Sequence, residues 1–598
     1  MIRTIYKIGN LLSQNPQYAD YFYPWKNPFP KNQDAARVIV FDIANGSINP
    51  TYQIENFKAD FSLYLYREAS ANGTNLVPTF LYSSDNSIDN IAKRLKKIKQ
   101  CLTTYKHAFV STDQIDQLLP ILQKIPLNKD NRYLLTFTLN GKYFGEIEEY
   151  RNLFLDDAYK KNYEKNYGTA LAKNTLCSVT YEVADEVWGF VDTLGFTVNE
   201  TAFNRNGFDA NNAWRMFPVS KNVVPILEGA MSFITEKMTK NFSGLKYFVL
   251  PHFIRAENAD IEFAVSRFID ININPITNTA KNTIIGSEDI LEELVEEAEL
   301  SKNNVYYDLF FYAKNQAQFL IKLHLSDILP SRLRKIYDVK KQLENFYRPI
   351  TDIQKKDETI QQNIINFATI RNFFAHKAKT DTIFHPAFFK IVEAVFYGNP
   401  LNKDLILKAF IQVIQKAYKN RTDDLKKYAY INATKESFIL LQFFASLHLF
   451  NQQTMENVIS ATHNSVALTP KDFIAQHPAF FDSEYKKGVF LLGCLTQALL
   501  NKQKSKLQND PFSKNLNSLN LDKTDLEKLL PKLINKLREY DVYYHSDLEA
   551  QIAQALVTPC TLTKTDISYT FTLGLIMQRE FTNQFLQNKK TDDSTKQS

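Results

Sequence analysis

The sequence predicts an α+β protein: mixed α/β N-terminal lobes with short strands and a hairpin, then a mainly α-helical C-terminal half ending in a helical bundle. Three observations lead there. Strand-like runs bounded by turn residues lie in the first 250 residues, whereas apolar residues at i, i+3, i+4 spacing dominate after residue 303. Glycine is scarce, 16 of 598 residues against roughly 7% in an average protein, which leaves few tight turns and favours helix.

The elements follow in order. Residues 37–43 are a β-branched run suited to a buried strand, and 87–101 read as a helix. Residues 133–139, Asn140-Gly141 and 142–145 read as a hairpin, because Asn-Gly supplies the two positive φ angles of a type I′ turn. Further strands are expected at 186–190 and 246–250, with a polar stretch at 204–208 between them. Ser287 is placed to cap an acidic helix carrying Glu288, Asp289, Glu292, Glu293, Glu296, Glu297 and Glu299. Helices are then expected at 306–325, 360–376, 404–418 and 434–450. The terminal bundle is read as 485–506, 522–540, 547–557 and 564–586, with Pro511 and the Asn-rich 515–520 separating the first two. The domain boundaries read as 1–150, an N-terminal α/β lobe; 151–299, a loop-rich lobe; 300–430, a helical middle region; and 431–598, the bundle.

Composition narrows the function. Hydrophobic residues at 44% and charged residues at 23% exclude a mostly disordered chain. Cys101, Cys177, Cys494 and Cys560 form no C-x-x-C pair, so neither a disulfide framework nor an intact zinc knuckle is readable. The longest apolar stretches, 438–450 and 488–500, fall short of the roughly 18 residues of a spanning helix, and residues 1–14 hold no apolar leader core. The expectation is a soluble, cytoplasmic protein without a membrane role.

The net charge of +6 is weak for this length, but it is unevenly distributed. Between Tyr485 and Tyr540 stand eleven Lys or Arg and five Asp or Glu, an excess equal to that of the whole chain. A compact basic helical unit beside a neutral body is the footprint of a surface that follows a phosphate backbone.

The catalytic signatures are mostly absent: no P-loop, no His-Asp dipeptide, no H-E-x-x-H and no G-x-S-x-G occur, and nine histidines are read as unclustered. One string survives. Arg371-Asn-Phe-Phe-Ala-His376 resembles the R-x4-H motif of HEPN-type ribonucleases, in which Arg stabilises phosphorane charge while His moves a proton. The plainer reading is an amphipathic helix end with Phe373 and Phe374 in the core.

The stretch 171–234 resembles the middle of the Csh-type large subunit of the type I-B CRISPR Cascade, the crRNA-guided surveillance complex. The elements are Cys177-Ser-Val-Thr180, Val187-Trp-Gly-Phe-Val-Asp-Thr-Leu-Gly-Phe196, Gly207-Phe208, Phe217-Pro-Val-Ser-Lys-Asn-Val223 and Leu227-Glu-Gly229. Gly73-Thr-Asn-Leu-Val-Pro-Thr79, the Asn140-Gly141 hairpin, Asp327-Ile-Leu-Pro-Ser-Arg332, Gly488-Val-Phe-Leu-Leu-Gly493 and Phe571-Thr-Leu-Gly574 extend it in the expected order. The chain departs from the family at its metal site. Of four family thiolates only Cys177 remains, with Thr180, Ser220 and Val223 in the other places, so no structural Zn²⁺ and no other cofactor is expected.

The resemblance implies a non-enzymatic subunit that reads the PAM, promotes unwinding and R-loop formation, and helps recruit a separate helicase-nuclease. Its implied partners are crRNA, target double-stranded DNA, the Cascade backbone subunits, the crRNA-processing endonuclease subunit and small subunits. Members of that family also carry a small-subunit-like bundle at the C-terminus, in several cases made separately by internal translation, for which Met455 is the suitably placed start. PAM-duplex contact is assigned to Asn204, Arg205, Asn206, Lys221 and Asn222, Asn and Arg being the residues that pair bidentately with adenine and guanine. Phosphate contact is assigned to Lys93, Arg94, Lys96, Lys97 and Lys99, and to Arg332, Arg334, Lys335, Lys340 and Lys341, whose plainer reading is a solvated helix face. Lys502, Lys504, Lys506, Lys532, Lys536 and Arg538 are assigned to the displaced strand.

Overall fold

The computed structural model describes the chain apart from residues 31–32, 68–75, 84–85, 106–111, 195–208, 243–244, 254–257, 274–288, 297–304, 316–317, 356–357, 361–363, 375–385, 422–427, 451–464, 467–468, 544 and 596–598. It forms two compact units. The first comprises Met1–Thr239, Asn258–Ile269 and Lys314–Ile321; the second comprises Lys240–Glu257, Asp270–Ala313 and Lys322–Ser598.

The first unit is built on a five-stranded sheet. Strands β1 (Ala36–Ala44) and β4 (Arg132–Leu139) run parallel at its centre. β2 (Ser47–Asn56) pairs antiparallel with β1, while β3 (Phe80–Tyr82) and β5 (Lys142–Tyr143) pair antiparallel with β4. A parallel pair covered on both faces needs apolar side chains at nearly every position, and Val38 to Phe41 and Tyr133 to Phe137 supply them. Asn140 (φ 50°) and Gly141 (φ 78°) make the expected turn, and the Asp42 carboxylate fixes it by accepting the Gly141 N–H at 2.8 Å.

Helix α1 (Ile2–Ser13) opens the chain. Helices α2 (Ile88–Thr104), α3 (Thr112–Asp116) and α4 (Leu118–Leu122) feed apolar residues into the core of the sheet, and α5 (Glu148–Tyr159) follows β5. The small ladder β6 (Glu164–Lys165) and β7 (Gly168–Thr169) leads to an antiparallel three-stranded sheet of β8 (Leu171–Leu176), β9 (Val183–Trp188) and β10 (Val219–Ser220). Helix α6 (Val224–Phe233) packs against α1.

A second sheet, of four strands, has the order β11 (Lys240–Phe242), β12 (Leu245–Phe253), β13 (Val305–Asn315), β14 (Gln318–Ile328). Helices α7 (Asn258–Ile273) and α8 (Asp289–Glu296) stand between β12 and β13 in the chain. The described residues of 306–325 are therefore strands, not the helix their periodicity suggests. Tyr307, Leu309, Phe310 and Phe311 are all buried, so nearly every position is apolar and helical spacing is satisfied trivially. Pairing decides the outcome: Phe310 stacks on Phe248 of β12 at 5.2 Å and Phe311 on Tyr247 at 5.4 Å, an arrangement that requires paired strands.

Among the described residues, the regular structure of the remainder is helical apart from one ladder. It runs α9 (Pro330–Thr351), the hairpin β15 (Ile353–Lys355) and β16 (Glu358–Ile360), α10 (Phe367–Phe374), α11 (Pro386–Tyr397), α12 (Lys403–Lys419) and α13 (Ala429–Ser446). The helix expected over 360–376 is thus shorter, with Ile360 paired to Ile353 in the ladder. The chain ends with α14 (Pro470–Gln476), α15 (Glu484–Leu507), α16 (Lys523–Glu539), α17 (Ser546–Val557) and α18 (Lys564–Thr595). Between Gly488 and Leu500 α15 is buried nearly all round because it sits inside the bundle, against α18, α17 and α16. The break before α16 uses Asn517 and Ser518 in the left-handed region, conformations that short polar side chains tolerate best after glycine. The α+β class is as the sequence predicts. Ser287, proposed as a cap for the acidic helix, lies outside the described residues.

Candidate nucleic-acid interface

Helix α2 builds the first basic surface. The Ser87 hydroxyl accepts the Asn90 N–H at 3.3 Å, capping the helix, and Asp89 complements the dipole. Ile91, Leu95, Ile98 and Leu102 bury one stripe, which forces Lys93, Lys96 and Lys97 onto the open face. They line a cavity of about 840 Å³. Among the described residues none of the three meets a carboxylate, so their mutual repulsion is uncompensated. Arg94 differs: its guanidinium donates to the Leu81 carbonyl and lies over the Phe80 ring at 5.6 Å, so it ties α2 to β3. Lys99 sits 3.5 Å from Asp116. Of the five bases assigned on this helix, Lys93, Lys96 and Lys97 are the exposed ones with no salt bridge among the described residues.

The sheet β8–β9–β10 brings the remnants of the metal motif together. Cys177 is buried, and its Sγ accepts the N–H groups of Val179 at 3.4 Å and Ser220 at 3.3 Å. Ser178 N–H donates to the Pro218 carbonyl at 2.8 Å, joining the two turns directly. Burial pushes the thiol up, but hydrogen bonds from Ser220, Thr180 and Val179 outweigh it and hold the pKa below the ordinary value. Residues Thr180, Ser220 and Val223 add no thiolate or imidazole, so this shell does not fit Zn²⁺. Backbone hydrogen bonds do the joining instead. Gly189 of the same motif lets the chain pass against the Trp214 backbone, where a Cβ would overlap it.

This platform carries Lys221 and Asn222 on the turn after β10, both exposed, with Lys221 N–H anchored on the Glu186 carbonyl at 3.1 Å. Asn204, Arg205 and Asn206, assigned to the same role, lie outside the described residues, as does Met455.

On α9 the five assigned bases separate into two kinds. Arg332 donates to the Val395 carbonyl through Nε at 3.0 Å and Nη2 at 2.5 Å, and burial lowers its pKa. Lys340 is buried with its ammonium 5.9 Å from the Tyr337 ring. Arg332 thus joins α9 to α11, while Lys340 lies against a ring of its own helix. Arg334, Lys335 and Lys341 are exposed.

In the bundle, the ends of α15 and α16 converge on Tyr540. The Lys506 ammonium lies 5.5 Å from that ring and the Lys536 ammonium 5.9 Å, with Lys504 and Lys532 exposed and Lys502 half-buried. Lys536 also meets Glu539 at 2.5 Å. Arg538 is again structural: Nη1 and Nη2 reach the two carboxylate oxygens of buried Glu549 at 3.1 and 2.5 Å, and Nη1 the Val542 carbonyl at 3.0 Å. Above Arg538 lies the exposed Tyr543 ring, at 5.2 Å.

Sequence reading missed one cluster. The Asp308 Oδ2 stands 3.0 Å from His252 Nε2 and 3.5 Å from His324 Nε2, so the histidines do cluster. Strand pairing across β12, β13 and β14 creates this group, and no spacing in the chain announces it. Burial raises the Asp308 carboxyl, yet the bond to His252, the Asp327 N–H and the two imidazoles bring it below the usual range. Among the described residues no group of three or more potential ligands is arranged for a metal ion. Of the ribonuclease-like pair, Arg371 lies on α10 and His376 outside the described residues. Among the described residues no helix is long and apolar enough to cross a membrane.

Comparison with known families gives matches in chain order. Residues 1–156 match the N-terminal domain of the CRISPR-associated protein TM1802 (cas_TM1802), 174–328 its central domain and 365–589 its C-terminal domain. No curated protein matches the chain. The three matched stretches span most of its length, and the chain belongs to the CRISPR-associated TM1802 family.

Proposed function

We propose that this chain is the non-catalytic large subunit of a type I-B CRISPR Cascade complex. In this reading it works in the cytoplasm, contacts the PAM in duplex DNA, promotes unwinding and R-loop formation with crRNA, and helps recruit a separate helicase-nuclease. The observation that carries it is the exposed Lys221–Asn222 turn, held on a double turn whose Cys177 sulfur is gripped by backbone N–H groups. A rigid scaffold presenting a cation and an amide is suited to reading base edges, each bidentate contact being worth about 1–3 kcal/mol of discrimination.

The exposed lysines of α2 and α9 supply sequence-independent phosphate contact, and the Tyr540 cluster takes the displaced strand. R-loop formation is near balance energetically, so a handful of such contacts decides whether the duplex opens. The 431–598 bundle plays the small-subunit-like part. The test is reconstitution of the crRNA-loaded assembly with and without this chain, read by R-loop formation on a supercoiled plasmid library of PAMs. Unwinding should require the chain, and Lys221→Ala with Asn222→Ala should relax the PAM preference. Equal unwinding without the chain would overturn the proposal.

A further inference from the structure

A second basic groove in the first unit belongs to none of the surfaces above. It is a cavity of about 1130 Å³ between the segment Tyr21–Pro30 and the segment Asp157–Asn166. That exceeds the roughly 300–1,000 Å³ usual for small-molecule pockets. It also shares Tyr66, Arg67 and Leu81 with the cavity walled by Lys93, Lys96 and Lys97, so the two cavities are neighbours.

Its charges do not cancel. Three carboxylates line the groove, and each has its own cation: Asp157 with Arg67, Glu164 with Lys160 at 2.9 Å, and Glu228 with Lys161 at 3.1 Å. Lys26 and Lys165 are left over, with no salt bridge among the described residues. Protein packed round both ammonium groups lowers their pKa, and the more distant charges of Glu236, Glu228 and Asp20 offset this only in part for Lys26. An anion entering the groove would supply the counter-charge that these two ammonium groups lack.

The groove also holds a flat face. Tyr23 is 45% exposed, and one side of its ring is stacked on the buried Trp25 at 4.4 Å and 9°. A ring braced from behind and open in front is a platform for a nucleobase. Unpaired lysines, an open braced aromatic and a neighbouring lysine-lined helix together match the recognition of single strands, in which phosphates follow a basic groove and bases stack.

We infer that the groove bounded by Tyr23, Lys26 and Lys165 binds single-stranded polynucleotide, with phosphates on the two lysines and a base on Tyr23. This site does not depend on the PAM assignment, and its test needs no assembled complex. Fluorescence anisotropy of the full chain is measured with single-stranded RNA and single-stranded DNA of one sequence, and with the corresponding duplex.

The double variant Lys26→Ala/Lys165→Ala should weaken single-strand binding about tenfold or more and leave duplex binding unchanged. Tyr23→Ala should weaken it by roughly fivefold or more, while Tyr23→Phe, which keeps the ring, should restore it. Circular dichroism confirms that each variant folds. A preference for RNA assigns the groove to a guide strand, and a preference for DNA to a strand of the opened duplex. Wild-type affinity in the double variant, absence of any single-strand binding, or competition by a poly-glutamate peptide but not by oligonucleotides would each overturn the inference.

Discussion

Gly493 of α15 and Gly574 of α18 allow the two helices to touch backbone to backbone. A Cβ on Gly493 would overlap the Phe571 carbonyl oxygen, and a Cβ on Gly574 would overlap that of Phe490. The arrangement is reciprocal. Each glycine ends a four-residue string that begins with the phenylalanine facing the other glycine, Phe490-Leu-Leu-Gly493 and Phe571-Thr-Leu-Gly574. Phe490 and Phe571 are themselves fully buried.

Gly493→Ala and Gly574→Ala should therefore each destabilise the bundle, by about 1–3 kcal/mol or more, because the overlapping atoms are backbone and cannot turn aside. Gly141→Ala is a contrasting control: nothing lies near that Cβ, and only its positive φ opposes the substitution. Urea unfolding midpoints compare the three.

Acid should loosen the bundle before it affects most carboxylates. His477 is buried, its Nδ1–H donates to the Phe473 carbonyl at 2.8 Å, and its Nε2 accepts from the Tyr347 hydroxyl at 2.7 Å. Burial lowers its pKa to about 4, so the folded state keeps it neutral while the unfolded chain protonates it near 6.5. The stabilisation is whole above pH 6.5 and is lost as pH falls from 6.5 towards 4, a change of roughly 3 kcal/mol. Unfolding free energies of His477→Gln should lack this slope when measured at several pH values and subtracted from the wild type.

Six basic residues of the bundle should divide into two behaviours. Arg538→Ala breaks the Glu549 pair, leaves a buried carboxylate without its cation, and should lower the melting temperature. Lys504→Glu and Lys506→Glu, in the last turn of α15, should each cost no more than about 1 kcal/mol and chiefly reduce nucleic-acid binding. Calorimetry beside filter binding separates the two.

Replacing Lys93, Lys96 and Lys97 of α2 by alanine should weaken binding to every sequence alike. The slope of log affinity against log salt should flatten by about one for each phosphate that is no longer neutralised. An unchanged slope would place these lysines outside the interface.

Chelation should be without effect. The turns around Cys177 are joined by N–H···S and N–H···O hydrogen bonds, so excess EDTA should not shift the melting temperature. A drop on chelation, reversed by zinc, would show that a metal holds them.

Local chemistry was legible in the sequence wherever neighbours along the chain settle it. The Asn140-Gly141 turn, the basic face of α2 and the boundaries of α12, α15, α16 and α17 all follow from spacing and from side-chain hydrogen bonds within a few residues. The helix expected at 306–325 failed because β12, 62 to 64 residues upstream at Phe248–Phe310 and Tyr247–Phe311, supplies the aromatic partners. Separation along the chain likewise hid the His252–Asp308–His324 group.

By itself, then, the chain determined its class, its basic stretches and the ordered motifs that place it in a CRISPR-associated family, since each depends on residue type and short-range periodicity. Only folding decided which of the cations are free. Arg94, Arg332, Lys340 and Arg538 look in sequence like their neighbours on the same helices, yet packing turns them inward onto carbonyls, rings and Glu549. A charge is available to a partner only when no internal group has claimed it, and that is a property of three-dimensional surroundings.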